Sequence, residues 1–276
     1  GSEMCIRDRL SDGYLDVSFE LLSGIDGSRA EDLLQKRGAP AVPRININVY
    51  VIQTPERTIL IDSGAGGING WGGRLQVALA AAGIDPLQID TLLLTHAHPD
   101  HIGGLAGPLQ TPVFRNVQQL FVHEKELAFW RDETISAGAP DAFKPFFEVA
   151  RNAFSAYDDK LVPFREEAIL PGIQTVPLFG HTPGHTGYLL GDEKASLLIW
   201  GDIVHFPHIQ VAQPDVTIAF DSDPAAAAAI RGKVLDRAAS DNLAVSGMHF
   251  NLPTTGKVIR EGNSFALNYD LWSPAV

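Results

Sequence analysis

The segment Leu92–His101 constrains this chain most, because it places three histidines and one aspartate directly after an apolar run. Buried polar groups need partners, and neighbouring imidazoles rarely find enough of them within one loop. A divalent metal would supply the partner, since neutral imidazole and carboxylate are its ordinary ligands. His96 and His98 alternate and so point the same way on an extended stretch. Asp100 and His101 follow the Pro99 break, so the loop could serve two metal ions.

Three later apolar runs also end beside a residue that binds metals. The turn-rich stretch 180–186 carries His185, the run 197–201 leads into Asp202, and the run 243–248 leads into His249. In open α/β sheets, sites form at strand ends, where loops converge. A coincidental polar turn would explain one such loop but not four. His181 lies in the same loop as His185 and is the rival ligand there.

These residues resemble the metallo-β-lactamase-fold hydrolase superfamily over roughly residues 45–265. The resemblance implies an α/β fold in the form of an αββα sandwich, with two mixed sheets flanked by helices. It places the ligand of the 180–186 loop at His185. It implies one metal held by one set of residues and a second metal held by another, with Asp202 bridging the pair. The two sets are His96, His98 and His185 for the first metal, and Asp100, His101 and His249 for the second.

The resemblance also implies how such a site would work. Asp100 and Asp202 would act with a metal-bridging hydroxide, because water bound to a divalent metal loses a proton near neutral pH. Asp62 would support the metal loop from behind. Ligands without thiolate favour two zinc ions, although manganese, iron and cobalt stay open. The chain lacks a Gly-x-Ser-x-Gly elbow, so a serine hydrolase is not expected.

Within the superfamily the chain looks most like the methyl parathion hydrolase and lactonase-like branch. Residues 48–52, 60–66, 98–105, 200–205 and 216–224 carry that likeness. It implies a hydrolase for lactones or esters, with phosphotriesterase or arylesterase activity as the alternative. A catalytically silent metal-binding module is the alternative outside enzymes. The branch holds leaving groups with aromatic side chains, so the expected pocket residues are Trp71, Trp130 and Phe146, together with His205.

Charge and composition limit the partners. Against 21 basic residues the chain has 33 acidic ones, a net charge of −12. Nucleic acids and anionic membranes both require a basic footprint, so we expect a small-molecule substrate, neither of those partners, and an open choice between monomer and homodimer. No apolar stretch is long enough for a bilayer, and the single Cys5 excludes an internal disulfide. A cytoplasmic protein is expected.

The chain is organised as one hydrolase domain over residues 13–276. Residues 1–12 are polar, begin with Gly1-Ser2 in the manner of a cloning tag, and are expected to be disordered. A phenylalanine stripe at helical spacing predicts a helix over 141–157 that is mainly core. Asp223-Pro224 predicts a helix start, with an N-cap followed by proline.

Overall fold

The computed structural model describes residues 5–165, 168–191 and 196–270. Over these residues, short strands and helices alternate, as the mixed apolar periodicities of the sequence indicate. The strands are β1 (Cys5–Asp16), β2 (Leu22–Ser23), β3 (Arg44–Gln53), β4 (Thr58–Ile61), β5 (Thr91–Leu93), β6 (Gln119–His123), β7 (Leu161–Phe164), β8 (Ala168–Leu170), β9 (Ile173–Pro177), β10 (Thr186–Gly191), β11 (Ser196–Ile199), β12 (Thr217–Ile218), β13 (Ala244–Ser246), β14 (Thr255–Glu261) and β15 (Ser264–Tyr269).

The helices are α1 (Gly27–Lys36), α2 (Leu75–Ala81), α3 (Pro99–Ile102), α4 (Glu124–Arg131), α5 (Glu133–Gly138), α6 (Lys144–Ala156), α7 (Pro207–Gln210) and α8 (Pro224–Ser240). The start predicted for α8 is confirmed: the Asp223 carboxylate accepts the N–H of Ala226 at 3.0 Å, and Pro224 fills the first helical position. In the described part of the chain, none of the helices combines the length and apolar character that crossing a bilayer requires.

The chain forms two compact units, each assembled from two stretches of sequence. The first takes the described residues up to Leu15 together with Ile47–Ile169, and the second takes Asp16–Asn46 together with the described residues from Leu170 onward. The sequence predicted one domain over 13–276 without any sign of this division, because neither unit is continuous along the chain.

The first unit is built on a six-stranded sheet in the order β1-β3-β4-β5-β6-β7. Strands β4, β5, β6 and β7 run parallel to one another, β4 pairs with β3 in the antiparallel sense, and β5 is buried along its whole length. The carboxyl ends of parallel strands meet at one edge of a sheet, where loops can converge. Asp62 follows β4 and the histidine loop follows β5, so the topology brings them to the same edge.

The second unit is built on a seven-stranded sheet in the order β15-β14-β13-β11-β10-β9-β8. Strands β11 and β13 pair in parallel, with Ile199 opposite Ser246, so Asp202 and His249 both emerge beyond the same edge. Strand β10 is antiparallel to β11. Its amino-terminal end, which carries the 180–185 loop, therefore reaches that edge too.

The predicted phenylalanine stripe lies on α6 and serves mainly as core. Phe147 and Phe154 are buried and pack with other apolar side chains of the first unit, whereas Phe146 is only half-buried. The observed helix, Lys144–Ala156, begins three residues later than predicted. A proline at its second position fits the first turn, where the N–H groups have no helical acceptor.

The prediction of disorder over residues 1–12 is wrong for residues 5–12, which belong to β1. Asp12 explains the order: its buried carboxylate accepts the N–H groups of Ala65 (2.9 Å), Gly73 (2.9 Å) and Leu75 (2.7 Å). Burial raises the pKa of Asp12, although these hydrogen bonds act in the opposite direction. The buried role of Asp12 could not be predicted from the polar composition of residues 1–12, because its hydrogen-bond donors are distant in sequence. Gly1-Ser2 lies outside the described residues.

Candidate metal centre

The loop after β5 holds the first set of candidate ligands, His96, His98, Asp100 and His101. His96 and His98 are buried, and Nε2 of His96 lies 3.0 Å from Nδ1 of His98. His101 is on α3, with its Nε2 3.4 Å from Oδ2 of Asp100. The first unit therefore brings three imidazoles and a carboxylate together, as the sequence pattern predicts.

Asp62 lies directly behind this loop. Its carboxylate accepts the backbone N–H of Thr95 at 2.8 Å, the Thr95 hydroxyl at 2.7 Å and the Nδ1–H of His101 at 2.8 Å. Burial raises the pKa of Asp62, against the opposing effect of His101 and Thr95. Because Asp62 takes the Nδ1–H, the lone pair of the neutral His101 ring lies on Nε2, on the side of Asp100.

Glu126 holds the same loop from α4. Oε1 of this fully buried carboxylate accepts the backbone N–H of Ala97 at 2.9 Å and the indole N–H of Trp130 at 2.6 Å. The ring of Trp130 also meets His98 edge to face, with centroids 5.4 Å apart. Sequence reasoning missed Glu126, since nothing in a surface-like helix sequence marks one glutamate as buried.

The assignment of Trp130 to the substrate pocket needs correction. Its side chain is only 2% exposed, and it packs against Phe147 with ring centroids 4.7 Å apart. A ring with so little open surface has no face to offer a substrate. Trp130 is a core residue that positions the metal loop through Glu126 and His98.

Trp71 and Phe146, the other two predicted pocket aromatics, lie together near the loop. Both are half-buried, and their ring centroids are 6.2 Å apart. Phe146 also meets His98 edge to face at 6.3 Å. Both rings are partly accessible to solvent, and Phe146 lies beside the candidate ligand His98. A contact with a substrate's leaving group requires such accessible surface.

The second unit gathers its candidate ligands around Asp202, which follows β11. Asp202 and the three histidines around it, His181, His205 and His249, form what we call the Asp202 cluster, and all four are buried. His181, His205 and Asp202 present ligand atoms within 4.8 Å of one another. The Asp202 Oδ2 atom is surrounded by three histidine Nε2 atoms, at 2.8 Å (His249), 3.3 Å (His205) and 3.5 Å (His181).

Oxygen atoms outside the cluster fix two of these rings. Nδ1 of His181 donates to Oδ1 of Asp221 at 2.8 Å, and Nδ1 of His249 donates to the carbonyl of Asn46 at 2.6 Å. In a neutral ring, donation from Nδ1 leaves the lone pair on Nε2. Ligating histidines ordinarily have such an oxygen partner on the far nitrogen.

The cluster fits a cation better than it fits its own side chains alone. Lone pairs on Nε2 of His181 and His249 face a carboxylate oxygen, so acceptors face acceptors unless a proton or a metal lies between them. Protonating every imidazole would bury several charges around one carboxylate, which is costly. A divalent ion supplies the missing positive charge at once, and imidazole with carboxylate suits zinc, manganese, iron or cobalt.

The structure corrects the predicted ligand His185. Its Nδ1 donates to the carbonyl of Leu178 at 3.0 Å, and its Nε2 accepts the N–H of Asp202 at 2.9 Å. Both ring nitrogens are therefore engaged with the backbone, whereas Nε2 of His181 faces the Asp202 carboxylate. Gly201 permits this packing, since it has φ +56° and a Cβ there would collide with the His185 ring. The geometry therefore favours His181 as the candidate ligand, because its ligand atom lies with those of His205 and Asp202, whereas His185 accepts from the Asp202 backbone.

The stretch 220–223 supplies the signal that would have identified His181. The sequence analysis identified this stretch as part of the branch-typical segment 216–224 but assigned no role to it. In the structure Asp221 binds the ring of His181, and the N–H of Ser222 donates to the His181 carbonyl at 2.8 Å. Asp221, two positions before the N-cap Asp223, thus holds the loop that carries His181.

Two further residues support this edge of the second sheet. The guanidinium of Arg231, fully buried on α8, donates to the carbonyls of Ile203, Pro214 (2.6 Å) and Val216 (2.7 Å). It thereby fixes the chain just after Asp202. Gln210 accepts the N–H of His205 at 2.6 Å and so holds the next part of the same loop.

The family of this chain follows from a match along most of its length. A family model described as the metallo-beta-lactamase superfamily matches residues 42–249. The chain belongs to the metallo-beta-lactamase superfamily. The predicted membership is therefore confirmed, and so is the fold class, a mixed α/β arrangement of sheets flanked by helices. Among the similar solved structures are proteins described as a hydrolase and as a lactonase.

Two solved structures resemble the chain over nearly its whole length. One, the hydrolase AbOPH of the beta lactamase superfamily, has a TM-score of 0.89 and 28% identity, covering 96% of this chain and 94% of that one. The other is AidC, a dizinc quorum-quenching lactonase in complex with a product. It has a TM-score of 0.89 and 24% identity over 99% of both chains, which shows a shared fold.

Shorter similarities lead to enzymes named ribonuclease Z. The protein from Aeropyrum pernix is 36% identical over 72 residues, which is 26% of this chain and 21% of that protein. The one from Clostridium kluyveri is 37% identical over 79 residues, or 29% and 23%. The match thus spans less than a quarter of either relative, so it is a likeness of one segment only.

Proposed function

We propose that this chain is a dinuclear metal-dependent hydrolase that opens lactones or cleaves related esters. The observation that carries the proposal is the Asp202 cluster, in which oriented Nε2 lone pairs surround a buried carboxylate. Superfamily membership supports the hydrolytic part of the proposal. The similarity in fold to a dizinc lactonase supports zinc and the choice of substrate.

We assign the ligands by revising one position of the sequence-based set. One metal would be held by His96 and His98 with His181, in place of His185. The other would be held by Asp100, His101 and His249, with Asp202 available to both. Divalent ions bound there would supply Lewis acidity and would acidify a water molecule near neutral pH.

The chain's own residues prepare this chemistry by fixing ring orientations before a substrate arrives. Asp62 holds Nδ1 of His101, Asp221 holds that of His181, and the Asn46 carbonyl holds that of His249. A preorganised site does not have to reorient dipoles during the reaction, which lowers the barrier. The Asp100 side chain is 14% exposed, against 2% for Asp202. We assign Asp100 to holding the proton of the attacking water at a carboxylate oxygen and passing it to the leaving alkoxide.

The substrate class follows from charge and from the walls near the first ligand set. Trp71 and Phe146 offer aromatic surface beside His98, which suits a small, weakly polar substrate. A net charge of −12 opposes a polyanion such as RNA. We therefore rank lactones and aryl esters above phosphotriesters, and all three above RNA.

The test is a substrate panel on protein loaded with zinc or manganese, with metal content measured in parallel. The panel contains an N-acyl homoserine lactone, an aryl lactone, an aryl ester, an aryl phosphotriester and a structured RNA. We expect about two metal ions per chain, the highest kcat/KM on a lactone, and loss of turnover with a chelator. Asp202→Asn is the matched control, because it keeps the side-chain shape but removes the shared charge.

Three results would overturn this proposal in different ways. A phosphotriester turned over faster than every lactone and ester would promote the phosphotriesterase alternative. Cleavage of the RNA with no lactone turnover would move the chain toward its ribonuclease Z relatives. Two bound metals with no turnover of any substrate would leave a silent metal-binding module.

A further inference from the structure

The loop after β11 carries a histidine, His205, that belongs to neither of the two ligand sets. Its Nε2 atom lies 3.3 Å from Oδ2 of Asp202, which is three positions earlier in the chain. The Nε2 atom of His181 lies 3.5 Å from the same oxygen. The ligand atoms of these three buried residues are all within 4.8 Å of one another. All three residues belong to the second unit, so their grouping needs no residue of the first unit.

The separations between these ligand atoms are those of a tetrahedral zinc site. Nitrogen and oxygen ligands lie about 2.0–2.1 Å from zinc, so two ligands of one tetrahedral ion are about 3.3 Å apart. The distances from Oδ2 of Asp202 to Nε2 of His205 and of His181 are 3.3 and 3.5 Å, close to that value. The two imidazole rings are tilted by 57°, with centroids 4.8 Å apart. Both rings thus converge on one carboxylate oxygen, as ligands of a shared ion do.

The main chain of His205 is held by a fully buried glutamine. Oε1 of Gln210 accepts the N–H groups of His205 at 2.6 Å and of Phe206 at 3.1 Å. Nε2 of Gln210 donates to the carbonyl of Val216 at 3.1 Å. The turn that carries the imidazole is therefore fixed before an ion binds. A ligand that is already held in place loses little conformational freedom on binding, which favours affinity.

The protein gives the ring of His205 few polar partners of its own. The residue is only 3% exposed, and its Nδ1 atom has no hydrogen-bond partner among the residues that the structure describes. Its Nε2 atom faces Oδ2 of Asp202, which already lies 2.8 Å from Nε2 of His249. Burying a polar group without enough partners is costly. A metal ion at Nε2 would give this imidazole a bond that the side chains alone do not provide.

We propose that His181, Asp202 and His205 bind one divalent metal ion without the ligands of the first unit, with His205 as a ligand. The inference rests on the proposed function only for the ligand roles of His181 and Asp202. Two imidazoles and a carboxylate suit zinc, manganese, iron or cobalt, and three protein ligands leave one position of a tetrahedral ion open. Because the three ligands lie in one unit and are already oriented, this ion is the first to bind and the last that a chelator removes.

The experiment titrates the metal-free chain with cobalt(II) and follows both the absorption of the bound ion and the metal content. His96→Ala/His98→Ala removes two ligands of the first unit and should retain about one ion per chain. Adding His205→Phe should weaken that ion by more than the ~10- to 100-fold that losing a ligand's outer partner costs. Loss of all metal from His96→Ala/His98→Ala would overturn the proposal. So would a retained ion whose affinity His205→Phe leaves unchanged.

The matched control is His208→Phe, three positions further along the same segment. The ring of His208 packs against Tyr269 with centroids 5.8 Å apart, and among the described residues it belongs to none of the groups that could hold an ion. This variant should reproduce the cobalt titration of the parent protein. His205→Gln separates a ligand from a hydrogen-bond donor, because glutamine keeps an N–H for Asp202 but lacks the imidazole nitrogen. Unchanged cobalt affinity in His205→Gln would make His205 a donor and overturn the proposal.

Nitrogen-15 NMR of the imidazole rings in the unaltered chain does not depend on the folding of any variant. The first equivalent of zinc should shift the Nε2 signals of His181 and His205. A first equivalent that shifts His96 and His98 and leaves His205 unchanged would overturn the proposal.

The outcomes also separate this inference from the proposed function. One tightly bound ion that depends on His205, in a protein that turns over no lactone or ester, would keep this site and refute the hydrolase. Turnover of lactones with metal binding that does not depend on His205 would keep the hydrolase and refute this site.

Discussion

At the scale of single residues, the tautomer of each histidine decides what it can do. The backbone fixes the tautomer of His185, since Leu178 accepts from Nδ1 and Asp202 donates to Nε2. His181 has a different arrangement, with Asp221 on Nδ1 and Nε2 facing a carboxylate. Two histidines in one short turn therefore divide into a structural residue and a candidate ligand.

We predict that His181→Ala and His185→Gln have different effects. His181→Ala should reduce bound metal and lower kcat/KM by more than the ~10- to 100-fold typical of losing a ligand's outer partner. His185→Gln keeps an acceptor for the Asp202 N–H, so it should retain both metals and lose stability instead. Elemental analysis with kinetics on both variants is the measurement. Metal loss confined to the His185 variant would restore the original assignment.

The choice between these histidines could not be made from sequence. Both stand in one loop of turn-forming residues, four positions apart, so neither spacing nor composition separates them. The two histidines differ because the backbone carbonyl of Leu178 and the backbone N–H of Asp202 engage His185. Such backbone contacts cannot be read from the residue types. By contrast, His96, His98 and Asp100 could be singled out as candidate ligands from the sequence, because so many ligand-type side chains directly after a buried strand need a shared partner, and a metal ion would suit them all.

At the scale of helices and strands, the site depends on α4 as much as on β5. Helix α4 presents Glu126 to the Ala97 N–H and places Trp130 against His98. The convergence of strand ends was foreseeable, since in open α/β sheets the loops that follow apolar strands can meet at one edge. The contribution of α4 was not, because its charged sequence indicates a surface helix.

Trp130→Phe tests the role assigned to α4. The variant keeps an aromatic ring beside His98 but removes the indole N–H that donates to the Glu126 carboxylate. Hydrogen bonds to charged groups contribute about 1.5–3 kcal/mol, so the free energy of unfolding should fall by about that amount. The ranking of substrates should not change. Trp71→Ala, at a half-buried ring, is the comparison that should alter the ranking; a changed ranking in Trp130→Phe alone would return Trp130 to the pocket.

At the scale of the whole molecule, the candidate ligands are far apart in sequence and meet only in the folded chain. His249 and its partner Asn46 are 203 positions apart, and Asp202 is 47 positions from His249. An unfolded chain cannot assemble such a set, so metal binding and folding should be coupled. The superfamily and its fold class were foreseeable from the motif. The two discontinuous units were not, because each is assembled from stretches that meet only in three dimensions.

This coupling predicts a large effect of metal removal on stability. A ligand that binds only the native state stabilises it by about 2.7 kcal/mol at a concentration 100 times its Kd. The zinc-loaded protein should therefore unfold at a higher denaturant concentration than protein treated with a chelator, and the difference should shrink in Asp202→Asn. Coincident unfolding curves with and without metal would contradict a site formed by folding.

Asp12 gives the glycine-rich loop at residues 64–75 a dependence that the loop's own sequence conceals. Three of its N–H groups end on one carboxylate located 53 to 63 positions earlier in the chain, and a Cβ at Gly64 or Gly72 would collide with that carboxylate. The loop therefore cannot be transferred to another protein by itself. In a relative that lacks an acidic residue at the position of Asp12, three backbone N–H groups of the transferred loop would have no acceptor. The neighbouring aromatic Trp71 would then lose the frame that fixes its position, so exchange of active-site loops between relatives has to include the first strand.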